Sequence, residues 1–244
     1  GLSSVTQHFF WHLGYLSNIR FFLDNGWPGT GSHLWSLSVE EQFYLFWPLA
    51  VLSVHRNYLG HVVFGLLSVG LILQLVKPFV FEEFRLINVL TFMNFDSLGA
   101  GALLGLWFDH HKLRKFGDSI VIGFILPFLS FVGISLLSNF REVGSVLSVF
   151  QRLCMILSFA FIIFNAAKGT TQQLISKILL NRLVIWLGKI SYGLYIWHGF
   201  VPEIRATTFR FLGITSDVLT TGFPVLFIHL GMTILISAVS WKFF

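Results

Sequence analysis

The stretch "SHLWSLSVEEQFYLFWP", residues 32 to 48, places two adjacent glutamates at the head of a run that is otherwise aromatic and aliphatic. An α-helix needs about 20 mainly apolar residues to cross a bilayer. Residues 34–54 form such a run. The stretch therefore predicts a membrane-spanning helix that carries Glu40 and Glu41 near its start.

The composition of the whole chain points the same way. Of its 244 residues, 55% are hydrophobic and 11% are charged, and the mean hydropathy is +0.78, whereas soluble domains carry roughly one quarter charged residues. The 29 Phe, 8 Trp and 5 Tyr favour a lipid-embedded helical bundle with interfacial aromatic residues over a barrel. The predicted fold class is an all-α, polytopic transmembrane bundle, with membrane lipid as its first partner.

Seven segments are candidates for a spanning helix, the second and sixth of them short, and the connections on one side hold nine Lys and Arg residues against seven on the other. The segments are 34–54, 60–76, 89–108, 118–137, 146–167, 187–204 and 218–241. The densest basic cluster, Lys112, Arg114 and Lys115, lies in a short loop, which predicts a cytoplasmic side there and places residues 1–33 mainly outside. Basic residues in loops set orientation, so the net charge of +5 does not indicate nucleic acid.

The two glutamates have a local explanation and a functional one. Ser38 followed by Glu41 matches a capping box, in which each side chain satisfies a backbone N–H at a helix start. Glu40 shares a helical stripe with Tyr44 and Trp47, which predicts that it faces the bundle or the aromatic belt. Two carboxylates at low dielectric favour a raised pKa on one of them, as a proton acceptor requires.

Other polar side chains fall inside apolar segments. Asp96 lies in the third candidate helix, where it must face protein, water or a partner, and both structural hydrogen bonding and site lining are open. Gly101 and Gly105 form a G-x-x-x-G face that predicts close helix packing. Cys154 is expected to serve packing, because a lone cysteine provides no disulfide framework and no metal site.

A second polar stripe lies on the sixth candidate helix. Ser191, Tyr195 and His198 have i, i+4 and i+7 spacing and so share one face. His198 fits a general base, or a core group bonded to a neighbouring helix. His33 lies beside Trp35 and Ser36 as a further candidate for lining a site. His8, His12, His110 and His111 are expected to be interfacial or exposed, and His229, alone in the last segment, is expected to be a core residue.

Three blocks of sequence carry a family resemblance. "HLWSLSVEEQFYLFWPL" (33–49), "FMNFDSLGAGALLGL" (92–106) and "LGKISYGLYIWHGFV" (187–201) resemble, in order and spacing, the acyltransferase 3 family of membrane proteins that O-acylate carbohydrates. Asn94 stands where many relatives have an arginine. Such proteins usually have about ten helices, with three before the first block. The resemblance thus implies one membrane acyltransferase domain over residues 1–244, truncated at its N-terminus and at its C-terminus, with the family's proposed catalytic histidine upstream.

The resemblance also implies a function. The expected reaction moves an acyl group, usually acetyl, from acyl-CoA to a hydroxyl of a glycan or lipid-linked sugar, in a multi-pass protein of the bacterial inner membrane, with no bound cofactor and no metal. The candidate catalytic residues are Glu40, Glu41 and His198. The candidate substrate-binding residues are His33, Trp35, Ser36, Tyr44, Asp96, Ser191 and Tyr195. Lys112, Arg114 and Lys115 are candidates for the coenzyme A phosphates, with topology signals as their alternative role.

Two other classes of protein remain open at this point. A transporter or flippase of lipid-linked sugars also needs charges and kinked helices within the membrane. A structural or sensory bundle without catalysis is the third possibility.

Overall fold

The computed structural model describes residues 2–106, 121–138, 144–168, 177–213 and 223–243, and every regular element in these ranges is helical. The α-helices are α1 (Leu2–Gln7), α2 (Phe9–Leu13), α3 (Ser17–Asp24), α4 (Leu34–Ser53), α5 (Arg56–Val80), α6 (Phe95–Leu106), α7 (Leu126–Ser138), α8 (Ser145–Lys168), α9 (Arg182–His198), α10 (Val201–Phe211) and α11 (Phe223–Phe243). Short 3-10 turns cover Ile87–Val89 and Thr91–Asn94, and a π-helical turn covers Val121–Ile125. The predicted all-α fold is confirmed.

Among the described helices, three are long and apolar enough to cross a membrane: α5, most of α8 (Val146–Ala167) and α11. Large apolar side chains on these helices point outward, and Phe79 and Phe227 are 80% and 69% exposed. Contiguous exposed apolar surface of this kind is rare on soluble proteins and is expected where lipid replaces water. The chain is an integral membrane protein built of helices. The other four candidate spans coincide with α4, α6, α7 and α9, which are shorter or more polar.

The chain divides into two compact units, and the boundary falls within α4. Unit 1 comprises Gly1–Ser38 and Lys177–Phe244. In unit 1, α9 packs on α11 where Gly193 approaches Ser237 so closely that a Cβ on Gly193 would lie 3.1 Å from the Ser237 Cβ. The ring of Phe21 in α3 is fully buried and packs edge-on against the rings of His8, His12 and Trp27.

Unit 2, residues Val39–Ser176, is organised around two helix pairs, α5 with α6 and α7 with α8. A Cβ on Gly70 would lie 2.2 Å from the backbone N of Asp96, and one on Gly99 would lie 3.0 Å from the backbone N of Leu67. Glycine at these two positions therefore allows α5 and α6 to touch backbone to backbone.

The predicted G-x-x-x-G contact through Gly101 and Gly105 is wrong within the described residues. A Cβ on either glycine would meet nothing within 4 Å. Gly99 makes the close contact instead, and Gly101 lies two residues later, about 200° around the helix from it. The two glycines consequently face away from α5.

Two predicted helix boundaries are also corrected. The third segment becomes α-helical only at Phe95, because polar side chains bond the preceding carbonyls: Gln74 Nε2 donates to Met93 O over 2.8 Å, and Asn94 Nδ2 donates to Leu90 O over 3.0 Å. The sixth segment breaks after His198 and a new helix starts at Val201. Pro202 explains this break, because it has no N–H to continue the ladder of α9 and favours a helix start.

The predicted capping box is wrong as well. Turn bonds from Ser32 N to Gly29 O and from Leu34 N to Gly31 O, each 3.0 Å long, bring the chain into the helix at Leu34. Ser38 therefore lies inside α4, where its hydroxyl donates to the Leu34 carbonyl over 3.2 Å. Glu40 and Glu41 lie in the second turn, so capping does not account for them.

The close contact of α5 and α6 predicts a large effect of one added methyl group. Gly70→Ala should lower the free energy of unfolding by about 1–3 kcal/mol, because the new Cβ has no space beside the Asp96 backbone. The measurement is the thermal unfolding midpoint of the complete protein in detergent.

Gly65→Ala is the matched control, since it lies in the same helix and its added Cβ would meet nothing within 4 Å. Equal midpoints for the two variants would contradict the packing described here.

Candidate functional site

In unit 1, three residues from the first and last sequence blocks are joined by hydrogen bonds. The Tyr195 hydroxyl on α9 donates to the His33 carbonyl, which can only accept. A phenol has a single proton, so the Ser36 hydroxyl is the donor in its 2.6 Å bond with Tyr195 Oη. These bonds hold the entry of α4 against the last turns of α9.

Two imidazoles lie beside this tyrosine. His33 Nε2 donates to the Ile196 carbonyl over 3.1 Å, and His198 Nδ1 donates to the Tyr195 carbonyl over 2.5 Å. Since a carbonyl can only accept, each neutral ring keeps one unprotonated nitrogen, Nδ1 on His33 and Nε2 on His198. The ring centroids are 4.7 Å apart. We call His33, Ser36, Tyr195 and His198 the histidine–tyrosine cluster.

Gly199 is required for this arrangement. A Cβ on Gly199 would lie 2.1 Å from both Nδ1 and Cε1 of the His33 ring. Any larger residue would push that ring out of the cluster.

The surroundings of His33 and His12 favour neutral imidazole. Burial, followed by the neighbouring His198 ring, lowers the pKa of His33 below its ordinary value, although the hydrogen bond to Ile196 acts in the other direction. Burial also lowers the pKa of His12, and His8 contributes to the same shift. A neutral histidine retains the lone pair that a proton acceptor needs.

The sequence-based view of His8 and His12 as interfacial or exposed is corrected. His8 is buried, with 8% of its surface exposed, and the rings of both histidines pack edge-on against Phe21. His12 Nδ1 bonds Ser17 Oγ over 2.7 Å, while its Nε2 is buried without a hydrogen-bond partner in the described chain. His12 is thus a candidate that the sequence analysis missed, and its i, i+4 spacing from His8 was the available signal.

The other predicted residues of unit 1 have simpler surroundings. Ser191 is exposed, and its hydroxyl donates to the Gly188 carbonyl of its own helix over 2.8 Å. The predicted stripe therefore brings Tyr195 and His198 together and leaves Ser191 out. Trp35 is half-buried.

In unit 2, a cavity of about 440 Å³ opens beside the middle of α4. Tyr44 and Trp47, two members of the predicted stripe, line it together with Ser97, Gly101 and Gly105 of α6. The absence of side chains on the two glycines keeps this space open. A tyrosine hydroxyl and aromatic faces suit a ligand that is partly apolar and partly polar.

Glu40 and Glu41 lie one turn before Tyr44 in α4. Glu40 is exposed and Glu41 is partly exposed. Neither carboxylate has a hydrogen-bond or ion-pair partner among the described residues. Both carboxylates are therefore available to a ligand.

Asp96, another predicted site residue, is fully buried and belongs to an ion-pair network. Its carboxylate binds the Arg152 guanidinium of α8 in bidentate fashion, through Nε and through Nη2, the latter over 2.8 Å. Arg152 Nη2 also donates to Asn94 Oδ1 over 3.2 Å and to Ser97 Oγ over 3.1 Å. Asp96 thus has a structural partner in the described chain, and its role in lining a substrate site stays a prediction.

Asn94 has a defined role in the same network. Its Nδ2 donates to the carbonyls of Asn88 and Leu90, each over 3.0 Å, which turns Oδ1 toward Arg152. An arginine is therefore present beside Asp96, but it comes from α8 and not from the position two residues before Asp96.

Sequence reasoning missed Arg152. The available signal was a lone arginine inside the otherwise apolar segment 146–167, since an intramembrane cation needs an acidic partner. Lys112, Arg114 and Lys115, the candidate coenzyme A contacts, lie outside the described residues, as do His110 and His111.

Comparison with known proteins agrees with this architecture. A family model described as an acyltransferase domain matches residues 2–242. The chain therefore belongs to the acyltransferase 3 family, and its helices make it a membrane member of that family.

Relatives in Staphylococcus aureus are similar to the chain. A protein of strain COL with the provisional name O-acetyltransferase SACOL0978 is 27% identical over 228 residues, covering 86% of this chain and 35% of the relative. The O-acetyltransferase OatA of strain NCTC 8325 is 31% identical over 176 residues, covering 68% of this chain and 28% of the relative. The chain spans about a third of the length of these relatives. No solved structure matches it.

Because Asp96 and Arg152 form an ion pair, we expect that the changes in the free energy of unfolding caused by substituting each of them do not add. Arg152→Gln should lower the free energy of unfolding by about 3–5 kcal/mol, because it leaves the buried Asp96 carboxylate unpaired. The double variant Asp96→Asn with Arg152→Gln should recover part of this loss. Thermal unfolding of the wild type, Arg152→Gln, Asp96→Asn and the double variant measures the coupling.

Arg182→Gln, which removes an exposed arginine at the start of α9, is the control and should change stability by less than about 0.5 kcal/mol. Strict additivity of the two substitutions at Asp96 and Arg152 would show that the pair does not form.

The lowered pKa values in unit 1 predict a loss of stability in acid. The unfolded chain binds protons at these histidines more readily than the folded chain, so stability rises with pH through the window just below about 6.5, the ordinary histidine value. The unfolding midpoint should fall as pH is lowered through this window, and less so in His33→Gln.

His61→Gln, which removes an exposed histidine of α5, should retain the full pH dependence. If His33→Gln and His61→Gln give the same pH profile, the His33 environment is not as described.

Proposed function

We propose that the protein is an integral membrane O-acyltransferase that moves an acyl group, most simply acetyl, from acyl-CoA to a hydroxyl of a carbohydrate or lipid-linked glycan. The observation that carries this proposal is the family match over residues 2–242. The names of the relatives, which describe O-acetyltransferases, support the same reaction class.

The reaction sets three requirements. A base takes the proton of the acceptor hydroxyl, whose oxygen then attacks the thioester carbonyl, and the C–S bond breaks to release coenzyme A as the thiol after it gains a proton. Donors must stabilise the negative charge on the carbonyl oxygen, and water must be excluded because it would hydrolyse the donor.

The histidine–tyrosine cluster supports the first requirement. His198 Nε2 is an unprotonated acceptor on a ring whose other nitrogen is anchored to a carbonyl, which is how enzymes commonly orient a histidine base. The neutral His33 ring offers a second acceptor nitrogen nearby. Tyr195 and Ser36 act as positioning residues, because their bonds hold the segment that carries His33.

Glu40 and Glu41, in unit 2, are further candidates for handling the hydroxyl proton. Their adjacent carboxylates have no hydrogen-bond or ion-pair partner among the described residues, so either can accept a hydrogen bond from a ligand hydroxyl. We assign Glu40 the proton-accepting or hydroxyl-orienting role, because Tyr44 of its stripe lines a cavity in unit 2.

The partners follow from the proposed reaction. Acyl-CoA would be used from the cytoplasmic side, where Lys112, Arg114 and Lys115 are candidates for its phosphates. The acceptor would be presented at the outer face of a bacterial plasma membrane. Membrane lipid surrounds the helices.

The test is acyl transfer by the purified complete protein supplied with radiolabelled acetyl-CoA and a mixed preparation of cell-surface glycans. Glu40→Gln should reduce labelled product by about 100-fold or more, in the range lost with a proton-transferring group. Membrane insertion and the unfolding midpoint should remain unchanged.

Glu203→Gln, a glutamate at the start of α10 in unit 1, is the control and should retain wild-type turnover. Normal turnover in Glu40→Gln would contradict the role of that carboxylate. A wild-type protein that acylates nothing but moves a lipid-linked sugar between leaflets would contradict the acyltransferase proposal and establish the transporter.

A further inference from the structure

A second cavity in unit 2 has a different character. It has a volume of about 470 Å³ and is bordered by the last turns of α5, the 3-10 turn at Ile87–Val89, α7 and the first half of α8. Its polar lining residues are Gln74, Lys77, Asn88, Ser148, Gln151 and Arg152. In the orientation that the basic loops predict, this end of the unit is the outer one.

The charges around this cavity do not balance. Arg152 is matched by Asp96. The Lys77 ammonium has no ion pair or hydrogen bond in the described chain, and the guanidinium of Arg152, which lines the same cavity, repels it. Two cations and one carboxylate leave a net positive charge along a concave wall of protein, and a cleft lined by one sign of charge attracts an anion more strongly than a flat surface does.

An unpartnered acceptor lies in the same lining. The Oδ1 atom of Asn88 is buried and has no hydrogen-bond partner in the described chain. The backbone carbonyl of Asn88 accepts a hydrogen bond from Asn94 Nδ2, and this bond holds the 3-10 turn that carries Asn88 in place. A buried acceptor without a donor is costly, and a ligand hydroxyl would satisfy it.

The amide groups of Gln74 and Gln151 are already oriented. Gln74 Nε2 donates to Met93 O over 2.8 Å, and Gln151 Nε2 donates to Ser135 Oγ over 2.7 Å. Their carbonyl oxygens remain as acceptors in the lining. The cavity thus combines cations for an anionic group with acceptors for hydroxyl groups.

From these observations we propose that the cavity binds a polyol phosphate, with the phosphate between Lys77 and Arg152 and a hydroxyl on Asn88 Oδ1. Its volume is within the range of small-molecule sites. The same chemistry is present in the headgroup of phosphatidylglycerol and in soluble glycerol phosphate. The proposal concerns binding alone and stands apart from acyl transfer.

The experiment measures thermal unfolding of the complete protein by tryptophan fluorescence in nanodiscs of phosphatidylcholine. In one arm glycerol 3-phosphate is added, and in the other phosphatidylglycerol replaces part of the lipid. A ligand that binds only the folded protein raises the unfolding midpoint. A rise in the first arm identifies a soluble source, a rise only in the second identifies the lipid headgroup, and either result supports the site.

Two variants locate the binding. Lys77→Gln should raise the concentration or mole fraction needed for a half-maximal shift by about tenfold, as loss of one charge-assisted contact does. Asn88→Ala should raise the same half-maximal value severalfold while leaving the charge of the cavity unchanged. If Lys77→Gln does not unfold cooperatively, Asn88→Ala is compared with the wild type in its place. Lys242→Gln, which removes a lysine of α11 in unit 1, should bind as the wild type does.

The proposal is overturned if neither ligand shifts the wild-type midpoint. It is also overturned if Lys77→Gln and Asn88→Ala bind as tightly as Lys242→Gln, because the shift would then come from a general effect of anionic lipid or of ionic strength.

Discussion

The bidentate ion pair between Asp96 and Arg152 is the interaction on which the arrangement of unit 2 depends. An isolated charge in hydrocarbon costs several kcal/mol, so these two groups are tolerable only together. Their pairing connects the start of α6 to the first half of α8, while Gly70 brings the same turn of α6 against α5. Both cavities of the unit are bordered by helices that this contact positions.

In unit 1, hydrogen bonds between uncharged groups, and not an ion pair, join the start of α4 to α9. The Tyr195 hydroxyl and the protonated nitrogens of His33 and His198 all donate to backbone carbonyls. These bonds use one nitrogen of each ring and leave the other free in the described chain, on two rings whose centroids are 4.7 Å apart. Neutral imidazole is the form that can accept a proton, which is what the proposed reaction requires of a base.

Much of this could be predicted from the sequence, because the signals are local. Long apolar segments defined the helices, and i, i+4 and i+7 spacing placed Tyr195 and His198 on one face. The three sequence blocks predicted the family, which the match over residues 2–242 confirms. The remainder depends on contacts between distant residues. No local pattern specifies that Arg152 pairs with Asp96, that Gly99 is the packing glycine, or that turns at Gly29 and Gly31 start α4 before Ser38.

The most direct measurement of the central claim is a cryo-electron microscopy map of the complete protein in lipid nanodiscs. The account predicts continuous side-chain density between α8 and the start of α6, with both Arg152 nitrogens on the Asp96 carboxylate and Asn94 beside them. An Arg152 side chain that extends to the lipid headgroups, with Asp96 paired to a different residue, would contradict it.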